Sequence, residues 1–343
     1  MNVSMTTPWQ VVRQLCRASS TIDYQLLTIN YRLPSTILAR SIAVWHSSPV
    51  PDALTAAVVF LFGLAIGSFL NVCIRRMPGA VTDDDGSVLN SCRRQLAAIT
   101  FAPSACPMCG ARIKPYDNIP VLSYVILLGR CRACRAPISA LYPTVELLTG
   151  LLFVACYEKF GASLVTAKWA VFCAMLVVLI FTDIRERILP DLVTLGGAVL
   201  GLVISAFVAV GDGSALWLAR RAFAFPPPDA VLSIADALFG ALFGGGLLWL
   251  VAEGYFRLRG REGMGLGDVK MMALVGAFLG PKLTFLTLFI GSLAGSVLGL
   301  IFVFVFRKGQ NYELPFGVFL AAGALLSVFL GAELVAWYSS LMV

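Results

Sequence analysis

Two aspartates lie at the ends of apolar segments, where an acidic side chain is costly unless it has a partner or a function. Asp183 directly follows the apolar run of residues 171–181, and Asp268 ends a segment in which every second residue is glycine. Gly265 and Gly267 carry no side chains, so an extended substrate backbone could lie close to Asp268. Asp183 and Asp268 are therefore candidate catalytic residues, provided that the fold brings them together.

Two carboxylates within hydrogen-bond distance can hydrolyse a peptide bond without a histidine, a serine nucleophile or a metal. They share one proton, because both cannot ionise at little cost. The charged carboxylate then activates water, while the protonated one hydrogen-bonds the scissile carbonyl. The same two acids could instead serve a proton or cation transporter, which would place them near the middle of membrane spans. On the residues alone, both hypotheses remain open.

The only histidine is His46, which lies in a polar tail before the first apolar run. Hydrolysis by a Ser–His or Cys–His pair needs a base close to the nucleophile, and a histidine-ligated catalytic zinc needs ligands close to the reaction. A single distant histidine argues against all of these mechanisms.

Other acids near the apolar runs have simpler explanations. Asp191 precedes an apolar run and is typical of a helix N-cap, and Glu146 is placed to stabilise a helix N-terminus. Glu253 can pair with Arg257 one turn later or reach the membrane interface. Asp236 lies near the opposite end of its run, too far from Asp268 to be its partner.

Lys270 lies two residues after Asp268. Its ammonium group could support the acids electrostatically or bind the phosphate of a membrane lipid. With Gly265 and Gly267, it completes the predicted substrate-binding residues.

Four of the nine cysteines form two C-x2-C pairs in one polar loop, namely Cys106 with Cys109 and Cys131 with Cys134. Four thiolates suit a tetrahedral zinc that has no open position for substrate. The alternatives are disulfides, which a reducing cytoplasm disfavours, or free thiols. The expected role of the metal is to fold a loop too small to form its own core. A non-enzymatic membrane scaffold built on this loop is a third functional hypothesis.

The whole chain has the composition of a membrane protein. Of its 343 residues, 59% are hydrophobic and 13% are charged, and the mean hydropathy is +0.85. We predict an all-α polytopic membrane protein. About eight transmembrane helices are expected, near residues 53–74, 144–160, 168–183, 192–210, 233–255, 268–280, 283–306 and 315–338.

Loop charge predicts the orientation. The loops on one side of the predicted spans hold 17 of the 26 Lys and Arg residues, and those on the other side hold 5. The positive-inside rule places the first side, with the cysteine loop and both aspartates, in the cytoplasm. It also explains the net charge of +7 without nucleic-acid binding.

The chain divides into four parts on this basis. A tail of unknown role without a signal peptide precedes the first span, a cytoplasmic zinc loop follows it, and a larger transmembrane domain contains both aspartates. Within the loop, residues 121–128 are too short to span and are expected to be interfacial or re-entrant. Residues 211–232 contain three successive prolines, which favour an extended spacer on the outer side. The four parts are residues 1–52, 53–74, 75–143 and 144–343.

Several motifs, in this order, resemble the type IV prepilin peptidases, which are bifunctional leader peptidases and N-methyltransferases. The resemblance extends from residue 60 to about residue 325. It is carried by Phe62–Val72 with Arg75 and Pro78, the two cysteine pairs, Tyr116–Pro120 with Leu122–Tyr124, Tyr142–Glu146, Thr182–Ile184 with Leu189–Asp191, and Gly265–Asp268 with Lys270.

This resemblance implies an aspartic endopeptidase of the bacterial inner membrane that removes a basic leader from prepilins or pseudopilins at the cytoplasmic face. It selects Asp183, rather than Asp191, as the catalytic partner of Asp268. It also implies methylation of the new N-terminus with S-adenosylmethionine as donor, although no fingerprint for that cofactor is visible. Val318 departs from the pattern, since the family commonly has proline at that position.

Overall fold

The protein is all-helical over the residues that the structure, a computed structural model, describes: 53–80, 87–100, 105–222, 225, 227–261, 263–304 and 315–341. The predicted tail of residues 1–52 lies outside these ranges. Pro78–Ala80 and Pro115–Asn118 form short 3₁₀ turns. The helices are α1 (Ala53–Arg76), α2 (Val88–Thr100), α3 (Leu122–Ile126), α4 (Leu141–Phe160), α5 (Leu164–Glu186), α6 (Asp191–Ser205), α7 (Ser214–Ala222), α8 (Asp229–Arg259), α9 (Leu266–Phe304) and α10 (Phe316–Ser340).

Five of these helices, α1, α5, α8, α9 and α10, are long and apolar enough to cross a membrane. The expectation of an all-α polytopic membrane protein is thus confirmed. Each of the eight predicted apolar runs forms helix over most of its length. However, α6 has only 15 residues, and α9 contains two of the predicted runs. The number of spans therefore stays a prediction.

Helix α9 is broken where two of the predicted runs meet. Gly280 has φ 75° and ψ 173°, and Pro281 follows it. A positive φ suits glycine, and proline lacks the N–H that would continue the helical hydrogen bonds. Gly280 is also closely packed, because a Cβ added there would lie 2.7 Å from Cβ of Asp212.

The centre of the bundle is α5, the most buried of the five long apolar helices. Phe172, Leu176 and Leu179 of α5 are fully buried. The Phe172 ring stacks on that of Phe278 in α9, with 4.8 Å between the ring centroids. Because lipid is as apolar as these side chains, close packing rather than exclusion from water holds such helices together.

Glycines bring α8 and α9 into backbone contact. A Cβ added to Gly240 would lie 2.1 Å from the carbonyl oxygen of Gly276, and one added to Gly244 would lie 2.5 Å from that of Met272. In α9, Gly291 lies against Leu320 of α10. Small residues at such contacts let two helix backbones approach closely, as is typical of helices packed within a membrane.

The segment between α6 and α8 contradicts the prediction of an extended spacer, because residues 214–222 form helix α7. The buried Asp236 accepts hydrogen bonds from the N–H groups of Gly213, at 3.1 Å, and Ala215, at 2.6 Å. A carboxylate that satisfies the free N–H groups at a helix start favours that helix. The three successive prolines come after α7 in the sequence, so they do not make all of residues 211–232 extended.

Candidate active site

Asp183 and Asp268 meet at the start of α10. Asp183 lies in the last turn of α5 and is 6% exposed, while Asp268 lies in the first turn of α9. A Cβ added to Gly317 of α10 would lie 2.8 Å from Oδ2 of Asp183 and 3.2 Å from Oδ1 of Asp268. Both carboxylates therefore face the same methyl-sized space. This places Oδ2 of Asp183 close to Oδ1 of Asp268.

The end of α5 positions Asp183. Arg187 follows the helix with φ 54°, and its N–H donates a hydrogen bond to the backbone carbonyl of Asp183 at 3.1 Å. A left-handed residue at this place ends a helix and reverses the chain. The carboxylate itself is held from α10, because the Val318 N–H donates a hydrogen bond to Oδ2 of Asp183 at 3.1 Å.

The two predicted substrate-binding glycines differ in their surroundings. Gly265 is exposed and precedes α9, and the nearest atom to a Cβ added there is the Gly267 nitrogen at 3.9 Å. Gly267 packs against Leu189, whose Cβ would lie 3.2 Å from an added Cβ. Of these two glycines, only Gly265 has open space around it.

Lys270 forms an ion pair with Asp191, with 2.6 Å between Nζ and Oδ1. The pair joins the first turns of α9 and α6. The prediction that Asp191 is an N-cap was wrong. Pro190 occupies that position and Asp191 is the first residue of α6, where a negative charge still interacts favourably with the helix dipole.

The structure shows the partners of Glu146 and Glu253, the two glutamates with a predicted role. Helix α4 begins at Leu141, so the expectation that Glu146 lies at a helix start was wrong. Glu146 is buried and accepts hydrogen bonds from the Val121 N–H at 2.7 Å and from Asn71 Nδ2 at 3.5 Å. Glu253 pairs with Arg257 at 2.7 Å, which confirms one of its two predicted roles.

The four predicted zinc ligands form a compact cluster. All four sulfur atoms lie within 4.8 Å of one another, and those of Cys106 and Cys134 are 3.9 Å apart. A tetrahedral zinc with bonds of about 2.3 Å requires sulfur atoms about 3.8 Å apart. The residues present fit a zinc ion.

The two cysteine pairs have the same backbone hydrogen bond. The N–H of Cys106 donates to the carbonyl of Ala111, and the N–H of Cys131 donates in the same way to Ala136. Arg132 lies within the second pair and makes a bidentate ion pair with Asp117, which lies between the pairs, at distances down to 2.6 Å. The guanidinium holds the pKa of the Asp117 carboxyl below its usual value.

A cavity of about 690 Å³ lies between the cysteine loop and the ends of α1, α4 and α5. Phe181 and Arg185 of α5 line it, so the cavity and the aspartate pair share the last turns of one helix. Its lining is predominantly basic. The charged side chains are Arg75, Arg112, Lys114, Arg132 and Arg185 against Asp117 and Glu146.

Sequence reasoning missed Gly317 and Val318 as parts of the site. Neither has a side chain that can do chemistry, and both act through the backbone or through the absence of a Cβ. The only signal was their place in Pro315-Phe316-Gly317-Val318, which lies at the start of an apolar run on the same side as both acids.

These features define a helical membrane protein that has two adjoining carboxylates at one end of its bundle and a four-thiolate cluster. The family model of the bacterial peptidase A24 N-terminal domain matches residues 61–160, and that of the type IV leader peptidase family matches residues 170–300.

Curated relatives agree with the family models. Prepilin leader peptidase/N-methyltransferase from Burkholderia pseudomallei (strain K96243) is 34% identical, over 82% of this chain and 87% of the relative. The protein of the same name from Aeromonas hydrophila is also 34% identical, over 82% and 93%, and that from Pseudomonas aeruginosa is 33% identical, over 81% and 91%. No solved structure matches the chain. The chain belongs to the type IV leader peptidase family, which confirms the predicted resemblance.

Proposed function

We propose that this protein is an aspartic endopeptidase that cleaves the basic leader from prepilins or pseudopilins, and that it methylates the new N-terminus. The observation that carries the peptidase proposal is the meeting of Asp183 and Asp268 at Gly317. The names of the relatives support the substrate class and the second activity.

The two aspartates would hydrolyse the scissile bond as a pair that shares one proton. The ionised carboxylate takes a proton from a water molecule as its oxygen attacks the scissile carbonyl carbon. The protonated carboxyl donates its proton to the carbonyl oxygen, and the tetrahedral intermediate collapses when the leaving nitrogen is protonated. The open side of Gly265 is where we place the substrate backbone.

We propose that the eight apolar runs cross the inner membrane and that the aspartates and the cysteine loop face the cytoplasm. The basic residues that flank α5, α8 and the cysteine loop support this orientation. The division into residues 1–52, 53–74, 75–143 and 144–343 belongs to the same proposal. Lipid headgroups then surround the loop ends, and no nucleic-acid partner is required to explain the charge.

The peptidase proposal is tested by co-expression with a prepilin. Asp183→Asn and Asp268→Asn should each abolish leader removal, seen as a loss of the faster-migrating pilin band, because neither variant has a complete acid–base pair. Glu253→Gln is the matched control, since its carboxylate makes only a surface ion pair, and it should process normally. Full cleavage by either asparagine variant with normal membrane levels would overturn the proposal.

We propose that Cys106, Cys109, Cys131 and Cys134 hold one zinc ion that stabilises the loop. The fit of the sulfur cluster to tetrahedral geometry supports this. A metal with four thiolates would have no open coordination position, so its contribution is structural.

We further propose that the cavity of about 690 Å³ binds the methyl donor, S-adenosylmethionine. The volume lies within the range of about 300–1,000 Å³ that is usual for small-molecule sites, and Arg75 and Arg185 could hold the donor carboxylate. The donor supplies the methyl group, and the chain supplies the orientation of the acceptor amine.

Calorimetric titration with S-adenosylmethionine tests this site independently of turnover. Arg75→Ala should bind the donor about tenfold more weakly, because it loses a charge-assisted hydrogen bond, and should still remove the leader. Asp183→Asn is the control that should bind the donor normally. Equal affinity of Arg75→Ala and the wild type would contradict the assignment of this cavity.

A further inference from the structure

The two carboxylates at Gly317 differ in their hydrogen-bond partners. Oδ2 of Asp183 accepts a hydrogen bond from the Val318 N–H. Within the described part of the chain, no N–H or O–H group donates to the carboxylate of Asp268. The pair is therefore asymmetric in hydrogen bonding.

The donor to Asp183 is the N-terminus of a helix. Val318 is the third residue of α10, which begins at Phe316. The first N–H groups of a helix have no acceptor within it, and they form the positive end of the helix dipole. A hydrogen bond from such a group stabilises a charged acceptor more than a neutral one.

We propose that Asp183 is the ionised carboxylate of the pair and that Asp268 holds the shared proton; this rests on the proposed peptidase function. In the reaction, a carboxylate oxygen of Asp183 takes a proton from water as the water oxygen bonds to the scissile carbonyl carbon. Asp268 gives its proton to the carbonyl oxygen, so the proton that Asp183 gains balances the one that Asp268 loses. The Val318 backbone is a positioning group that acts through Asp183.

The other groups around Asp183 are consistent with this assignment. Among the residues that the structure describes, the charged groups that act on it are Asp268 from α9 and Arg187 at the end of its own helix. Arg187 is a cation and stabilises an anion at Asp183. From α10, Gly317 and Val318 present only backbone groups to the carboxylate.

An epoxide distinguishes the two aspartates chemically, because only an ionised carboxylate opens the ring. We would treat the full-length wild-type enzyme with a nitrophenyl glycidyl ether and locate the label by peptide mass spectrometry. The Asp183 oxygen should bond to the epoxide carbon, the ring C–O bond should break, and the Asp268 proton should neutralise the alkoxide. An ester on Asp183 is expected, and an ester on Asp268 would overturn the proposal.

Substitution at Val318 gives a second, independent measurement, which decides the matter if the reagent does not enter the site. Val318→Pro removes the N–H at a helix position that tolerates proline, and Val318→Ala keeps it. Since the family commonly has proline here, the effect of this N–H is proposed for this chain alone. On the acidic side of the optimum, Val318→Pro should cleave prepilin with about tenfold lower kcat/KM than Val318→Ala. The acidic limb of its pH profile of kcat/KM should move up by about one pH unit. At high pH, the kcat/KM values of the two variants should agree within about twofold.

Two outcomes would refute the assignment. In the first, the acidic limbs of the pH profiles of kcat/KM coincide for the two Val318 variants. In the second, kcat/KM of Val318→Pro is lower than that of Val318→Ala by the same factor at every pH. Failure of the assignment is distinguishable from failure of the peptidase proposal. If Asp183→Asn and Asp268→Asn both abolish cleavage while the label lies on Asp268, the peptidase stands and only the assignment of the proton is wrong.

Discussion

At Gly317, the two carboxylates occupy space that any other residue would fill. A Cβ at this position would lie 2.8 Å from Oδ2 of Asp183 and 3.2 Å from Oδ1 of Asp268. Gly317→Ala should therefore push the pair apart and lower prepilin cleavage by about 100-fold or more, since small displacements of reacting groups have effects of this size. The measurement is the initial rate of leader removal by purified enzyme.

Gly246→Ala is the matched control for Gly317→Ala. Gly246 lies in α8, and an added Cβ there has no atom within 4 Å. The control should cleave at the wild-type rate and unfold at the same temperature or higher, because alanine favours helix over glycine. Wild-type cleavage by Gly317→Ala would show that the pair does not depend on this space.

The sequence predicted the site residues that have an unusual chemical type for their position, and it did not predict those that act through tertiary contacts or through lack of a side chain. Asp183 and Asp268 could be identified because acids at the ends of apolar runs are unusual, and the resemblance excluded Asp191. The ion pair of Asp191 with Lys270 could not be predicted, because it joins residues on separate helices. Gly317 also escaped prediction, since a residue that contributes only space leaves no chemical pattern in a sequence.

Among the elements, α2 is linked to the start of α6 by one side chain. Gln95 is fully buried, and its Oε1 accepts a hydrogen bond from the Leu192 N–H at 2.9 Å. That N–H has no acceptor within α6. Gln95→Leu should destabilise the first turn of α6 by about 1 kcal/mol, which hydrogen exchange of residues 191–196 would measure. Ser91→Ala removes the hydroxyl to which Gln95 Nε2 donates and leaves the Oε1 acceptor in place, so it serves as the control. Unchanged exchange in Gln95→Leu would contradict the link.

The cysteine loop makes a prediction about metal content. Purified protein should contain about one zinc per chain, and Cys109→Ser or Cys134→Ser should lose most of it while the enzyme stays in the membrane. Cys92→Ser is the control, because Cys92 lies in α2 outside the cluster. Zinc analysis by mass spectrometry gives the result, and wild-type protein without zinc when its thiols are reduced would contradict the assignment.

Local patterns predicted most of the elements, and tertiary contacts account for the exceptions. The eight apolar runs form helix over most of their length, as expected of segments that must satisfy their backbone hydrogen bonds internally when they cross a bilayer. Helix α7 was missed because its stability depends on Asp236, which contacts its start from another helix. The prediction for Glu146 was wrong because α4 begins at Leu141, before the predicted run of residues 144–160, so Glu146 lies beyond the first turn of the helix.

For the whole molecule, the proposed orientation in the membrane makes a prediction about labelling. Single cysteines introduced at exposed positions can measure it, namely Leu258→Cys at the end of α8 on the predicted cytoplasmic side and Leu218→Cys in α7 on the outer side. An impermeant maleimide should label Leu218→Cys in intact cells and Leu258→Cys only after permeabilisation. The wild type, with its native cysteines, measures background, and the reverse labelling pattern would invert the proposed orientation.

The exposed flank of Gly265 has a consequence for inhibitor chemistry. At Gly317, an added Cβ would collide with the carboxylates. At Gly265, the nearest atom to an added Cβ is 3.9 Å away, so there is room for a larger group. A peptide analogue with a secondary alcohol in place of the scissile carbonyl would place its hydroxyl between the two acids. Bulky groups would be tolerated only where they extend past Gly265, so selectivity should be sought along that edge.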